Sequence, residues 1–464
     1  MRLSPVGSVR RFLTKVGADR AVIYGLLGTS RGLLLGPLTA LIIAFTLSGE
    51  LQGFYYTFAG LLALQVFLEL GFAQVIVQFA SHEWAQLRLR SDRSIEGNPD
   101  ALARLSSLWR LTTRWYWRTS LLLWIGLAVA GFVFFSAEDS GVQWQGPWLI
   151  VTLATAIDFM LLPLWSLMQG ANLMTAVNFA RLVGGLLLVP VLWGGLLLGA
   201  ELWSLAMAEI AGLVWDAGFL WRYRQFFRSL HLQRRGPRIQ WRREILPVQW
   251  RMAMTWVSGY FAMQIFIPVI FRLEGPIEAG RWGMTWSVVS AVSALAGIWI
   301  YTSAPRFGSL IAQRRYRELD EAFRRVTASA LGLCGLASIG AIGAIALLNT
   351  ADFRLADRLL PTGTAACLFA AAVLMQLSFA QSTYLRAHKA EPFLGLSILQ
   401  AVCMAGTTVA LGSLWGTAGI AAGYLGVALL IVTPLSTWLF LRLRRDWHQV
   451  PDRAEPDADT PAVT

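Results

Sequence analysis

The sequence predicts an all-α integral membrane protein of about twelve transmembrane helices in two six-helix lobes, with both termini cytoplasmic. Three observations predict it. Of 464 residues, 56% are hydrophobic and only 14% charged, against roughly 25% charged in soluble domains. Runs of 18 or more nearly uncharged residues recur along the chain, each long enough to cross a hydrocarbon layer of roughly 30 Å as a helix. The charges that remain are sorted: of 39 cations, only Arg272, Arg281, Arg354 and Arg358 fall in segments of one side and Arg31 within a span, and the others lie in segments of the opposite side. That lopsidedness satisfies the positive-inside rule loop by loop. The net charge of +12 thus reports topology and contact with anionic inner-leaflet lipid, and calls for no nucleic-acid partner.

Taken in order, the chain opens with a basic stretch, 1–20, expected in the cytoplasm. It leads into the first span, 21–46, without the short apolar region and cleavage site of a signal peptide. The second span is expected at 54–80. A cytoplasmic segment follows, in which the polar insert RLRSDRSIEGNPD precedes ALARLSSLWRLTTRWYW. There Leu102, Leu105, Leu108 and Trp109 share a helical face that Arg104, Arg110 and Arg114 avoid, the pattern of an interfacial amphipathic helix. Spans three to six are expected at 118–136, 148–168, 177–199 and 202–221. The basic loop after them divides the spans six and six, with its break at Gly236 and Pro237. Spans seven to twelve follow at 252–272, 283–304, 327–348, 361–385, 393–413 and 418–441. The units expected are therefore an N-terminal lobe, 21–235, a C-terminal lobe, 236–445, and a cytoplasmic tail, 446–464, with the composition of a disordered end.

The halves also rhyme. SGELQGFYYTF, entering span two, resembles EGPIEAGRWGMTW, entering span eight, at a shift of about 227 residues. Six spans separate the copies, an even number, so the repeats run parallel about an axis along the membrane normal and place a pathway between the halves.

The enzyme motifs fail in context. Gly28, Ser30 and Gly32 spell G-x-S-x-G, but that nucleophile elbow needs a strand, a turn and a helix. His82 and Glu83 begin H-E-x-x-H, yet Gln86 occupies the second histidine position. Neither of the two lysines stands in a phosphate loop. Cys334, Cys367 and Cys403 lie in apolar segments at wide spacing, as packing residues would. A membrane-embedded glycan polymerase or ligase would need an outer loop large enough to position acid, base and acceptor, and the outer segments are short. The expectation is a protein that is not an enzyme and carries neither metal nor cofactor.

The chemistry lies in the charges within spans. GLLGTSRGLLLGPLTALIIAF holds Arg31 about ten residues into span one, on the order of 15 Å deep. There a cation costs roughly 2.5–3.5 kcal/mol on insertion scales. An arginine cannot shed its charge, and its planar fork suits phosphate and carboxylate oxygens. Two readings stand side by side: a cation facing a cavity, or a buried ion pair with Glu69 or Asp158. Glu69, Asp158 and Glu209 are also candidates to bind a coupling cation. Asp216 is a further one, closer to the inner surface. Gln264, Gln376 and Gln381 suit hydrogen bonding between helices.

Twelve spans in two halves, the SGELQGFYY turn, the run LELGFAQVIVQFASHE and Arg31 together resemble the Wzx-type bacterial oligosaccharide flippases, of the superfamily that includes multidrug extruders and lipid II flippases. The resemblance covers roughly residues 20–445. It implies alternating access around a cationic cavity in the cell (inner) membrane, holding the sugar and pyrophosphate head of an undecaprenyl carrier for cell-surface polysaccharide synthesis. By position Arg31 matches the span-one cation of such flippases, with Arg272 and Arg181 as further candidates. Partners implied are the lipid-linked oligosaccharide, membrane lipids and a glycan polymerase or other assembly protein. Two other readings remain open: an extruder-like, cation-coupled antiporter of small molecules, and a membrane scaffold that recruits glycan-assembly enzymes.

Overall fold

A computed structural model describes residues 20–137, 141–233, 236–388 and 392–448. The N-terminal stretch to residue 19 and the tail from 449 lie outside the described residues. The helices are α1 (Arg20–Thr46), α2 (Gly49–Glu69), α3 (Phe72–Trp84), α4 (Pro99–Phe135), α5 (Gln145–Gly170), α6 (Met174–Leu197), α7 (Trp203–Arg222) and the short α8 (Arg224–Leu232). Then come α9 (Leu246–Met263), α10 (Phe266–Glu274), α11 (Pro276–Ala312), α12 (Tyr316–Thr350), α13 (Thr362–Arg386), α14 (Leu394–Val427) and α15 (Thr433–His448). A small antiparallel hairpin, β1 (Leu87–Leu89) and β2 (Ile95–Gly97), precedes α4.

By length and composition ten of the described helices can cross a membrane, the last of them counted from Leu394 to His448 as one. Gly416 (φ 58°, ψ −145°) splits that helix, because only glycine takes such a turn without a Cβ penalty. The carboxylate of Glu274 then accepts from the Thr417 amide at 2.9 Å and caps the new helix. With α1 added, the described residues hold twelve apolar stretches able to cross. Turns at 47–48, 198–202, 275, 351–361 and 416, with residues 136–137 and 141–144, lie on one face, which is poor in cations; the hairpin, α8 and the 313–315 turn lie on the other, basic face.

Local chemistry sets the boundaries. Ser48 caps α2 by accepting from the Leu51 amide at 3.1 Å, and Asn98 caps α4 with Pro99 in its first turn. Span two starts earlier than its apolar run suggests and is broken at Leu70 (φ 51°) and Gly71 (φ 67°). Three further boundaries depart from the periodicity. The amphipathic stretch after the polar insert is no separate interfacial helix but the first turns of α4, since Leu105 and Leu108 are buried against the N-terminal lobe. The insert itself forms the hairpin. Asp446–His448 continue α15, where the His448 ring stacks on Tyr316 with centroids 4.3 Å apart and Arg444 pairs with Asp320.

Elements α1–α7 pack as one lobe and α9–α15 as the other. The lobes meet most intimately near the cation-poor face, where α2 crosses α11. Gly53 and Gly280, which the sequence repeat pairs, face each other there: a Cβ on Gly53 would occupy the place of the Pro276 carbonyl. Gln52 Nε2 donates to the Gly280 carbonyl at 2.8 Å and to the Arg358 carbonyl at 3.2 Å, and Arg358 Nη2 donates to the Leu47 carbonyl at 2.7 Å. Phe54 and Phe135 of the first lobe pack on Phe271 of the second at 5.2 and 5.4 Å. Toward the basic face α9 leans on span two at Gly71, and the segment just before α9 is held to the first lobe by the Arg104–Glu244 pair and by Trp241 against Phe72, while Phe307, Phe323, Tyr384 and Phe440 form a separate hydrophobic cluster within the second lobe.

Candidate functional site

Two glycines in α6 shape the site. Gly184 admits the ring of Trp215, whose Nε1 donates to the Ala180 carbonyl at 2.9 Å and so ties α7 to α6. Gly185 admits Arg31: a Cβ there would fall where the guanidinium lies. Helix α1 is set against α6 by Trp193 Nε1, which donates to Thr39 Oγ1 at 3.0 Å. The arginine is half-buried, and its Nε is buried with no hydrogen-bond partner.

Around it the first lobe encloses a cavity of about 400 Å³. Its charged lining is Arg31 from α1, Asp158 from α5, Arg181 from α6, and Glu209 and Asp216 from α7; Trp165 and Leu188 complete the wall. Asp158 and Arg181 are exposed into it, whereas Glu209 and Asp216 are half-buried. Asp158 lies in the electrostatic field of Arg181, and Glu209 in that of Asp158. Among the described residues none of the five forms an ion pair within 4.0 Å. A low-dielectric pocket holding two fixed cations and three unpaired carboxylates can bind a cation among the acids and an anion on the arginines.

Arg31 also lines a second cavity, of about 610 Å³, between the lobes. Tyr55 and Tyr56 of α2 and Ser287 and Ser290 of α11 contribute its polar groups, and the stretch of α1 from Gly32 to Ile43 one wall. Pro37, which has no amide to offer the Leu33 carbonyl, lies on that wall. The two cavities adjoin along α6, sharing Gly185 and Leu188, and Arg31 stands at their junction. The helix runs unbroken through Gly28–Gly32, so the G-x-S-x-G residues form no turn.

The fold thus brings together Arg31, Arg181, Asp158, Glu209 and Asp216 of the residues singled out in the sequence. It leaves two aside. Arg272 is exposed on α10, its guanidinium 5.7 Å above the Phe134 ring near the cation-poor face. Glu69 ends α2 at the Leu70–Gly71 break and lines neither cavity; of Arg31's two candidate partners, only Asp158 shares its cavity. Sequence reading passed over Tyr55, Tyr56, Ser287, Ser290 and Gly185. The only trace of them is the repeat, which carries Tyr55 and Tyr56, and the Gly184–Gly185 doublet in an otherwise bulky span.

No protein-family model matches the chain, and no curated protein matches it by sequence. Solved structures do match. An inward-facing multidrug resistance MATE family transporter of the MOP superfamily aligns with TM-score 0.61 at 13% identity, covering 91% of this chain and 99% of that one. The lipid II flippase MurJ, in an inward closed conformation, aligns with TM-score 0.61 at 14% identity over 92% and 90%. A MOP superfamily transporter from Pyrococcus furiosus, described as having a binding pocket of reversed polarity, aligns with TM-score 0.54 at 15% identity over 93% and 96%. At such identities the likeness is one of architecture. The chain has the fold of the MOP-superfamily transporters.

Proposed function

We propose that the protein flips a lipid-linked oligosaccharide, on an undecaprenyl-pyrophosphate carrier, across the cell (inner) membrane by alternating access, for cell-surface polysaccharide synthesis. The observation that carries this reading is Arg31: an unpaired guanidinium at the junction of a charged intralobe cavity and a polar interlobe cavity, within a span. A pyrophosphate would offer it two or more charge-assisted hydrogen bonds, each worth roughly 1.5–3 kcal/mol. That is enough to compete with hydration of the head and weak enough to permit release. Arg181 would extend the anion site toward the basic face, taken as cytoplasmic from the charge asymmetry. The contact of α2 with α11 and the aromatic packing across the lobes support a state closed on the other side, in which the head enters from the cytoplasm while the lipid tail stays in the bilayer. Arg272, remote from both cavities, would act at most on the exit side.

Asp158 and Glu209, joined by Asp216, are the groups we assign to a coupling cation; Glu69, by its distance from that cavity, is left with a role in the break of span two. The same three carboxylates favour a second reading, cation-coupled extrusion of a small cationic molecule. Glycan export measured together with membrane abundance separates the two. Export should survive poorly in Arg31→Ala and be abolished in Arg31→Glu at normal abundance, whereas an extruder of cations would tolerate either change and fail in Asp158→Asn.

A further inference from the structure

On the side of α7 opposite the charged cavity, two hollows run into each other. The first, of about 590 Å³, sits at the basic face between α1, α6, α7 and the hairpin. Its walls are aromatic, with Tyr24, Phe179, Phe219 and Tyr223, and its charged groups are Arg93 and Arg222. The second, also about 590 Å³, is an apolar groove along α6 and α7, lined by Leu187, Val191, Ala211, Val214 and Gly218. Trp215, Phe219 and Arg222 belong to both.

The head of this site is built. Arg93 stands at the tip of the hairpin in a left-handed conformation (φ 66°) that an arginine seldom adopts. The Arg93 amide donates to the Arg90 carbonyl at 2.9 Å, while Asp92 accepts from the amide and hydroxyl of Ser94 at 2.9 and 2.7 Å. The hairpin is fastened to the end of span six and to α8: Arg93 Nη1 donates to the Arg222 carbonyl at 2.9 Å, and the Ile95 amide donates to Ser229 Oγ at 3.2 Å. The Arg93 guanidinium lies 5.1 Å above the Tyr223 ring. Arg93 and Arg222, whose side chain is exposed, both line the aromatic hollow, and Arg222 also lines the end of the groove.

The dimensions fit one leaflet. From Arg222 to Ala211 the helical rise gives about 16 Å, half of a hydrocarbon core of about 30 Å. The wall is one that lipid can enter, because Leu187 and Val214 are 46% and 68% exposed. Gly218 leaves the groove open beneath the headgroup, with no atom within 4 Å of where its Cβ would stand.

We propose that this is a binding site for an anionic glycerophospholipid of the basic-face leaflet, with its phosphate between Arg93 and Arg222, its headgroup against the aromatic wall and an acyl chain along the groove. A transported lipid is not the occupant, because α7 separates the groove from the cavities that meet at Arg31. The site therefore does not depend on what the protein carries. The lipid would brace the hairpin against span six and press on the side of α7 opposite Glu209 and Asp216.

The test is native mass spectrometry of protein taken from vesicles of equal phosphatidylglycerol and phosphatidylcholine. Wild type should retain phosphatidylglycerol selectively. The Arg93→Ala, Arg222→Ala double variant should retain at least about tenfold less, since each cation near the surface contributes roughly 1 kcal/mol. Gly218→Leu, which fills the groove and leaves the arginines in place, should lose the lipid as well and covers the case in which the double variant does not fold. Glycerol 3-phosphate should not displace the lipid from wild type. Equal retention of the two lipids, full retention by either folded variant, or displacement by glycerol 3-phosphate, which would mark a site for free phosphate, would each overturn the proposal.

Discussion

At the scale of the residue, the site turns on a contact between an arginine and a glycine. Arg31 has room in the first lobe because Gly185 has no side chain. Gly185→Ala should therefore push the guanidinium out of the junction: transport should fall to near background while the protein stays in the membrane, since α6 itself gains a better helix former. Arg31→Lys should keep partial transport, having the charge without the fork. Arg31→Ala should lose most, because each charge-assisted bond is worth roughly 1.5–3 kcal/mol and every 1.4 kcal/mol is tenfold in affinity. If Arg31 were only structural, Arg31→Ala would instead lower the amount of folded protein and a charge exchange with Asp158 would restore it. For the acids, the Asp158→Asn, Glu209→Gln double variant should transport without responding to an ion gradient. A response unchanged from wild type would remove these residues from coupling.

At the scale of the element, two fastenings join moving parts. The crossing of α2 and α11 at Gly53 and Gly280 puts backbone against backbone. Gly53→Ala forces a methyl onto the Pro276 carbonyl, at an overpacking cost of about 1–3 kcal/mol, so thermal unfolding in detergent should begin several degrees lower. On the basic face Arg104 bridges the end of α3 and the start of the second lobe, donating to Glu83 at 2.8 Å and to Glu244 at 2.7 Å. The Gln240 amide and Arg104 together hold the Glu244 carboxyl below its ordinary range. A depressed carboxyl contributes stability that is present above its unfolded pKa and lost as pH falls through its folded one. Proteolysis of the 222–245 linker should therefore speed up as pH drops below the ordinary carboxylate range, and Glu244→Gln should abolish that pH dependence.

At the scale of the whole molecule, the lobes are joined closely near the cation-poor face and lean on each other through α9 and the segment before it toward the basic one. Arg358 is the clasp that reaches between them, from the 351–361 segment to the Leu47 carbonyl. Arg358→Ala should increase labelling of a cysteine at Ser287 by an impermeant thiol reagent added from the cation-poor side; unchanged labelling would mean that Gly53 and Gly280 hold the closure without it. Topology is open to the same chemistry. Cysteines at Gly141 and Ala200 should react from outside intact cells and one at Arg228 only after the membrane is breached.

The sequence by itself determined the architecture, because its signals are local and one-dimensional. Apolar length fixes a crossing, cation placement orders the turns, and a repeat at about 227 residues pairs Gly53 with Gly280 before any contact is known. It also exposed Arg31, since a charge in hydrocarbon stands out without reference to its neighbours. Only the tertiary structure decided which charges share a space. Arg181, Asp158, Glu209 and Asp216 sit on three helices whose rotation about their axes is set by packing at Gly184, Trp215 and Trp193, and no periodicity reports that rotation. The same limit hid the breaks. Leu70 and Gly71 interrupt span two where Gly71 meets the Trp256 ring of the other lobe, a long-range contact that local propensity cannot encode. Arg272 and Arg181 looked alike as cations at the ends of spans, and Glu69 and Asp158 as acids within them. Arg272 and Glu69 fell outside the cavities because depth is read along one helix, whereas a cavity is made by the faces that several helices turn toward each other.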